Sequence, residues 1–339
     1  MKTSILDYEL PPELIAQEPV EPRDHSRLMI VDRNSQKIIH DHFFNLDRYL
    51  SDVLLVFNDS RVFPARMEAK FLTGGKAEIL LLRKQQKGLW KCLVKPARKF
   101  RPGRELTLGN NLKARVIAYE GKGERSILFV NEHNMPASDA ELKKAGQVPL
   151  PPYIKKELKD KERYQTVYAR EEGSAAAPTA GLHFTPELIE RLKERNDIVY
   201  ITLHVGTFTF KPIEEDEIEK HEIGEEEYEI SAYEAEKINE AIECGKKIVA
   251  VGTTTVRALE SAFEGGKVVP GRKTTRLFIY PGYKFKIVDA MITNFHLPRT
   301  TLLALVYAFG GIDLMKKAYE EAIKQRYRFY SFGDAMLIL

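Results

Sequence analysis

Between Phe71 and Val130 the chain has no helical period. The runs AEILLLR, LWKCLVKP, ELTLGN, LKARVIAYE and SILFVN are short and mostly alternate apolar with polar residues, and Gly, Asn and Lys turns separate them. Strands of this length at such close spacing predict a small antiparallel β-barrel. The flanking sequence has a different texture. VLLVFND (Val53 to Asp59) is almost continuously apolar, as expected for a strand covered on both faces. IVYITLHVG and KKIVAVG read likewise as strands, and LIERLKER, Glu234 to Cys244, VRALESAF and Ile312 to Gln325 carry the helical period between and after them. The expectation is a mixed α/β (α+β) fold: an α/β main domain of residues 1–66 and 150–339, with residues 67–149 inserted as the barrel. LMIVD and KIIHDHFF predict a hairpin, and the apolar end YRFYSFGDAMLIL predicts a docked rather than free tail.

Composition removes several function classes. Of 339 residues, 43% are hydrophobic, enough for a core, and 30% are charged. No apolar run approaches the roughly 20 residues that span a bilayer, and the start MKTSILDYEL lacks an apolar signal core, so a cytoplasmic protein is expected. The two cysteines, Cys92 and Cys244, are too far apart in sequence for a CxxC motif, against a disulfide framework or a cysteine-held cluster. His40 and His42 share a strand face but have no companion at ligand spacing, and no metal site is expected. Neither GxGxxG, GxxxxGK[ST] nor GxSxG occurs, so the usual dinucleotide, P-loop and serine-nucleophile readings lack their defining loop.

Charge is unevenly spread. Nine basic residues and no acid lie between Arg83 and Arg104, among them Lys91, Lys95, Arg98, Lys99 and Arg101, with Trp90 and Phe100 interleaved. This pattern suits a polyanion-binding face, and equally the solvent side of a strand-rich module. Ten acids against one lysine lie between Glu214 and Glu229.

GSAAAPTAGLHFT (Gly173 to Thr185) runs small residues up to His183 and a helix start at Thr185-Pro186-Glu187. It reads as a tight loop or as a cradle where backbone approaches a ligand. Four strand or loop ends carry polar residues: Thr179 with His183, His204, Thr253 to Arg257, and Asn294 with His296. Asn58 and Arg61 end the apolar strand in the same way. Ligands of open α/β sheets gather at strand C-termini, although a single histidine there also serves structure. The threonines read as caps for VRALESAF, with hydroxyls and N–H groups for an anion or ribose. Arg257 suits a carboxylate contact or a helix-face pair with Glu260.

NDSRVFPAR, RYQTVYA (Arg163 to Ala169), GSAAAPTAGLHFT, TLHVG, GTTTVRALE, TNFHLPRTTLLALVYAFGG and YRFYSFGDAMLI together resemble the S-adenosylmethionine:tRNA ribosyltransferase-isomerases of queuosine biosynthesis. The resemblance spans essentially the whole chain, departing from the pattern at Thr207 to Phe210 and around His221. It implies transfer of the ribosyl part of S-adenosylmethionine to 7-aminomethyl-7-deazaguanine at the tRNA wobble position. The products are epoxyqueuosine in tRNA, adenine and methionine. S-adenosylmethionine is then a consumed substrate, no cofactor is needed, and the partners are tRNA and S-adenosylmethionine, with a monomer expected. Such chemistry needs a base beside the ribose carbon next to the sulfonium and an acid for departing adenine. Histidine suits either task, and His183, His204 and His296 are expected to supply these roles, with base and acid left unassigned among them. On this chemistry Thr179, Thr254 and Asn294 are expected on ribose or methionine groups, Arg257 on the methionine carboxylate, and Tyr164, Tyr168 or Phe184 stacked on the tRNA base. Rivals of other classes are a non-catalytic RNA-binding module and a nucleotide-ligand hydrolase that needs no tRNA.

Overall fold

A computed structural model describes residues 1–121, 123–156, 158, 160–206 and 212–339; Thr207 to Phe210 lie outside the described residues. The chain divides into two compact units, one of Met1–Arg61, Pro151–Glu171 and Ala177–Leu339, the other of Val62–Leu150 with Glu172–Ala176.

The first unit begins with β1 (Arg27–Asp32), β2 (Lys37–His42) and β3 (Val53–Asn58). The second contains β4 (Arg66–Phe71), β5 (Lys76–Gln86), β6 (Leu89–Lys95), β7 (Glu105–Leu108), β8 (Lys113–Gly121), β9 (Glu124–Val130) and the short helix α1 (Asp139–Ala145). The first resumes with α2 (Pro186–Lys193), β10 (Asp197–Leu203), β11 (Glu226–Ile230), α3 (Ala232–Glu243), β12 (Lys247–Val251) and α4 (Thr253–Ala262). It ends with β13 (Gly271–Thr275), β14 (Ala290–Asn294), α5 (Thr301–Gly310), α6 (Ile312–Lys324) and β15 (Ala335–Ile338).

Among the described residues the first unit holds a nine-stranded sheet in the order β13-β11-β10-β3-β12-β14-β15-β1-β2. Its centre, β10-β3-β12-β14, is parallel throughout, so the C-terminal ends of these four strands share one edge of the sheet. That edge is where Asn58, His204, Gly252 and Asn294 emerge. β3 is buried at all six positions, matching its unbroken apolar run. The chain terminus is also interior: β15 lies between β14 and β1 with all four residues buried. β1 and β2 form the hairpin expected from their patterning.

Helix starts follow local chemistry. Thr185 Oγ1 accepts the Leu188 N–H at 3.1 Å and Pro186 occupies the first helical position, while Leu188, Ile189 and Leu192 are buried. Ser231 and Thr300 cap α3 and α5 in the same way. At α4 the expectation differs from the structure. The cap residue is Gly252 at φ 97°, without a side-chain cap bond, and Thr253 to Thr255 lie inside the first turn. A positive φ favours glycine, so the backbone leaves β12 and turns directly into the helix.

In the second unit β9-β6-β5-β4-β7-β8 close into an antiparallel barrel. Its inward residues include Met67, Ile79, Cys92, Leu106, Val116, Ile127 and Phe129. Trp90 and Phe100 belong to this core, at 9% and 0% exposure. The aromatics interleaved with the basic run thus support the barrel, and the lysines and arginines alone meet solvent.

Candidate active site

A narrow cavity of about 40 Å³ opens at the shared edge of the parallel strands. Four segments and the side of α5 line it: Ala177 to Ala180, Val205, Gly252 to Thr254, the Thr293/Asn294/His296 turn, and Leu302. Three of the four polar strand and loop ends singled out in sequence thus meet there. Gly181, next to this wall, explains part of the small-residue run. A Cβ on it stands 2.0 Å from the Tyr168 hydroxyl, so the loop's close approach is to the protein's own core. That hydroxyl's ring rests edge-on against Phe57.

His183 and His296 are both 4% exposed but hold different positions. His296 lines the cavity, with Nε2 2.8 Å from Thr293 Oγ1. Its main-chain N–H donates to the Tyr319 hydroxyl at 3.1 Å, and its carbonyl accepts from the Tyr8 hydroxyl, which fixes the turn. His183 stands behind Asn294, with Nδ1 2.7 Å from Ser26 Oγ and Nε2 3.0 Å from Asn294 Nδ2. The Asn294 amide nitrogen can only donate, so Nε2 accepts and the His183 proton sits on Nδ1. Burial drives both imidazoles down to about 3, helped at His183 by Arg163, Arg328 and Arg23. Both are therefore neutral at physiological pH.

Asn294 is 1% exposed and is oriented by a second bond, Nδ2 to the Tyr330 carbonyl at 3.2 Å. Its Oδ1 has no hydrogen-bond partner among the described residues. Thr254 Oγ1 accepts from Asn58 Nδ2 at 3.2 Å. Asn58 also donates to the Leu203 carbonyl and accepts from the Leu203 and Ser60 N–H groups, all at 3.0–3.1 Å. Its amide ties β3 to β10 and α4, and Asn58 reaches the cavity only through Thr254, since it is not among the lining residues. Thr179 lines the cavity, half-buried.

Other expected residues lie elsewhere. His204 is not among the cavity's lining residues, whereas its neighbour Val205 is. Its N–H donates to the Glu227 carbonyl at 2.9 Å, and burial lowers its pKa against the opposing charge of Glu227. Arg61 pairs with Glu162 at 2.7 Å. Arg257 pairs with Glu226, not Glu260, and donates to the Leu277 carbonyl at 3.0 Å. The pair is buried, 5% and 0% exposed, and Glu226 also receives the Gly206 N–H at 2.8 Å. Leaving either charge alone there costs about 3–5 kcal/mol, so the pair holds Arg257 in place, while its Nη2 has no hydrogen-bond partner among the described residues. Glu260 instead accepts main-chain N–H groups of Lys286, Ile287 and Val288. Tyr164 and Tyr168, 0% and 7% exposed, pack within the core, and Tyr168 also lines an open surface groove beside Arg170 and Tyr200.

Sequence reasoning did not find Ser26, Glu226 or Thr293. Ser26 lies in the polar run RDHSR, Thr293 sits three residues before His296, and Glu226 is hidden among ten acids.

Residues 3–338 match the family model described as "Queuosine biosynthesis protein". This chain belongs to that family. It is 52% identical to the S-adenosylmethionine:tRNA ribosyltransferase-isomerase of Thermotoga maritima over 100% of both chains. It is 53% identical to that of Thermus thermophilus over 98% of both. The crystal structure of S-adenosylmethionine tRNA ribosyltransferase from Thermotoga maritima matches with a TM-score of 0.56 and 43% identity, covering 99% of this chain and 100% of that one. Membership in the queuosine family fits a site built from backbone, hydroxyls, amide and imidazole. Among the described residues no three His, Cys, Asp or Glu side chains cluster as a metal site, and no helix is long and apolar enough to cross a membrane.

Proposed function

We propose that the chain transfers the ribosyl moiety of S-adenosylmethionine to 7-aminomethyl-7-deazaguanine at the wobble position of tRNA, giving epoxyqueuosine and releasing adenine and methionine. The observation that carries this reading is the end-to-end match to relatives named for a ribosyltransferase-isomerase acting with S-adenosylmethionine and tRNA. The site's chemistry supports it. The sulfonium acidifies the hydrogens of the adjacent ribose carbon, and His296, neutral and facing the cavity, is the base that removes one. The imidazolium so formed carries the proton that a ring nitrogen of adenine needs in order to leave. One histidine then acts first as base and next as acid, with no proton held beforehand. His183 acts at one remove, by fixing the Asn294 amide.

The measurement is adenine release from S-adenosylmethionine by the whole protein. Release is expected only with tRNA carrying the deazaguanine precursor. Release without tRNA favours a small-molecule hydrolase, and RNA binding without release favours a non-catalytic module; either result removes the proposal.

For the tRNA backbone, the barrel's basic residues are the proposed contacts. Lys95, Arg98, Lys99 and Arg101 are exposed and have no acidic partner among the described residues, whereas Lys91 is paired with Glu124 at 2.7 Å. If each of the four meets one phosphate, replacing all four by alanine reduces the slope of log affinity against log salt by about 3. The check is a salt titration of tRNA binding by the variant and the wild type; an unchanged slope rejects these contacts.

A further inference from the structure

Arg257 is held by Glu226 and is not among the cavity's lining residues, so within the cavity the carboxylate of the sulfonium substrate's amino-acid end does not meet its expected arginine. This question rests on the function proposed above, and the cavity itself supplies a different answer. α4 is ten residues long and opens on the cavity with Gly252, Thr253 and Thr254 in its wall. The first bond within the helix is donated by Val256 N–H to the Gly252 carbonyl at 3.2 Å, so the N–H groups of the preceding turn point out of the helix end. With no side-chain cap, they offer an anion both hydrogen bonds and the positive end of the helix dipole.

A second, independent feature faces the same space. Asn294 lines the cavity, and its Nδ2 is held by His183 and the Tyr330 carbonyl. The Oδ1 that remains is a buried acceptor with no partner among the described residues. Such a group demands a donor, because a buried acceptor left bare forfeits the hydrogen bonds it had to water. The cavity's volume also decides between ligand parts. Among the described residues about 40 Å³ admits a group the size of roughly three waters, the scale of a small polar head group. A head group that needs N–H donors for an anion and an acceptor for a donor, within that space, is an α-amino acid. Among the described residues no carboxylate side chain lines the cavity, so the ammonium meets a neutral acceptor that leaves the adjacent carboxylate free for the helix.

We propose that the N-terminus of α4 receives the carboxylate of the methionine moiety of S-adenosylmethionine while Asn294 Oδ1 accepts from its ammonium. Arg257, in the second turn of α4, then braces the helix through its buried pair with Glu226. Held by this end, the substrate's sulfonium and ribose extend past His296.

The test is calorimetric titration of the full-length protein with S-adenosylmethionine, its decarboxylated analogue and methylthioadenosine, which lacks the amino-acid end. Removing the carboxylate is expected to weaken binding by about 10- to 100-fold, the range of a charge-assisted hydrogen bond. Thr253→Pro removes one N–H at the first helical position, where proline is tolerated. It is expected to shrink that difference severalfold and leave methylthioadenosine binding as in the wild type. Equal affinity of the wild type for S-adenosylmethionine and its decarboxylated analogue overturns the assignment, whether or not the variant folds. Equal weakening of all three ligands by Thr253→Pro also overturns it, and places the ribose in the cavity instead. Binding of none of the three by the wild type removes the proposed function as well, so the two failures are distinct.

Discussion

Replacing His296 by alanine is expected to lower single-turnover adenine release by about 10²- to 10⁴-fold, the usual cost of losing a positioned base. S-adenosylmethionine affinity is expected to stay within a few-fold of wild type, because Oδ1 of Asn294 and the start of α4 remain in place. The contrast with His183 makes the experiment decisive. His183 does not line the cavity, and both of its ring nitrogens are engaged, by Ser26 and Asn294. It is a positioning residue, so His183→Asn is expected to act mainly on substrate affinity, through a misdirected Asn294 amide. If His296→Ala keeps a near-wild-type rate while His183→Asn abolishes release, the two roles are reversed. If neither changes the rate, proton transfer at this cavity is rejected.

Much of this arrangement is legible in the sequence. The unbroken apolar run of β3 and the alternation of the barrel strands separate the two architectures by period alone. The rule that α/β sheets gather ligands at strand C-termini places Thr254, Asn294 and His296 together before any coordinates. What is not legible depends on contacts between distant residues. Arg257 and Glu260 are spaced for a helix pair, but Glu226, 31 positions away, takes the arginine and the loop at Lys286 to Val288 takes Glu260. Tyr164 and Tyr168 have the composition of a stacking platform, and only packing against Phe332, Phe57 and Tyr200 shows them to be core. His183 and His296 are alike as motif residues; they are told apart by the side of Asn294 on which each lies.

The burial that keeps these imidazoles neutral also makes the protein acid-sensitive, and this is the second large effect. Each has a folded pKa of about 3, while in the unfolded chain it titrates near 6.5. A depressed value means that the unfolded state binds more protons between these two limits. Stability is therefore complete above pH 6.5 and falls as pH drops through that window, by about 1.4 kcal/mol per pH unit for each histidine. Between pH 6.5 and 4.5 the two together remove about 5 kcal/mol, a large share of the roughly 5–15 kcal/mol that holds a typical domain. Buried Asp59 and Asp334 act in the opposite sense, because burial raises their pKa and protonation relieves it. Their unfolded values lie near 3.9, so most of that relief comes at the lower end of the window. Urea unfolding followed at steps from pH 7 to 5 reads the buried histidines, and the variants separate His183 and His296 from His204. Near pH 5.5 His183 and His296 together should cost the wild type about 2.5 kcal/mol per pH unit. His204, whose pKa burial also lowers, adds a further loss. His183→Asn or His296→Asn should each be shallower than the wild type by about 1.2 kcal/mol per pH unit. Parallel slopes in all three proteins mean that the imidazoles are not held neutral by the fold. A base that starts unprotonated is then lost from the mechanism, whatever the rate of His296→Ala.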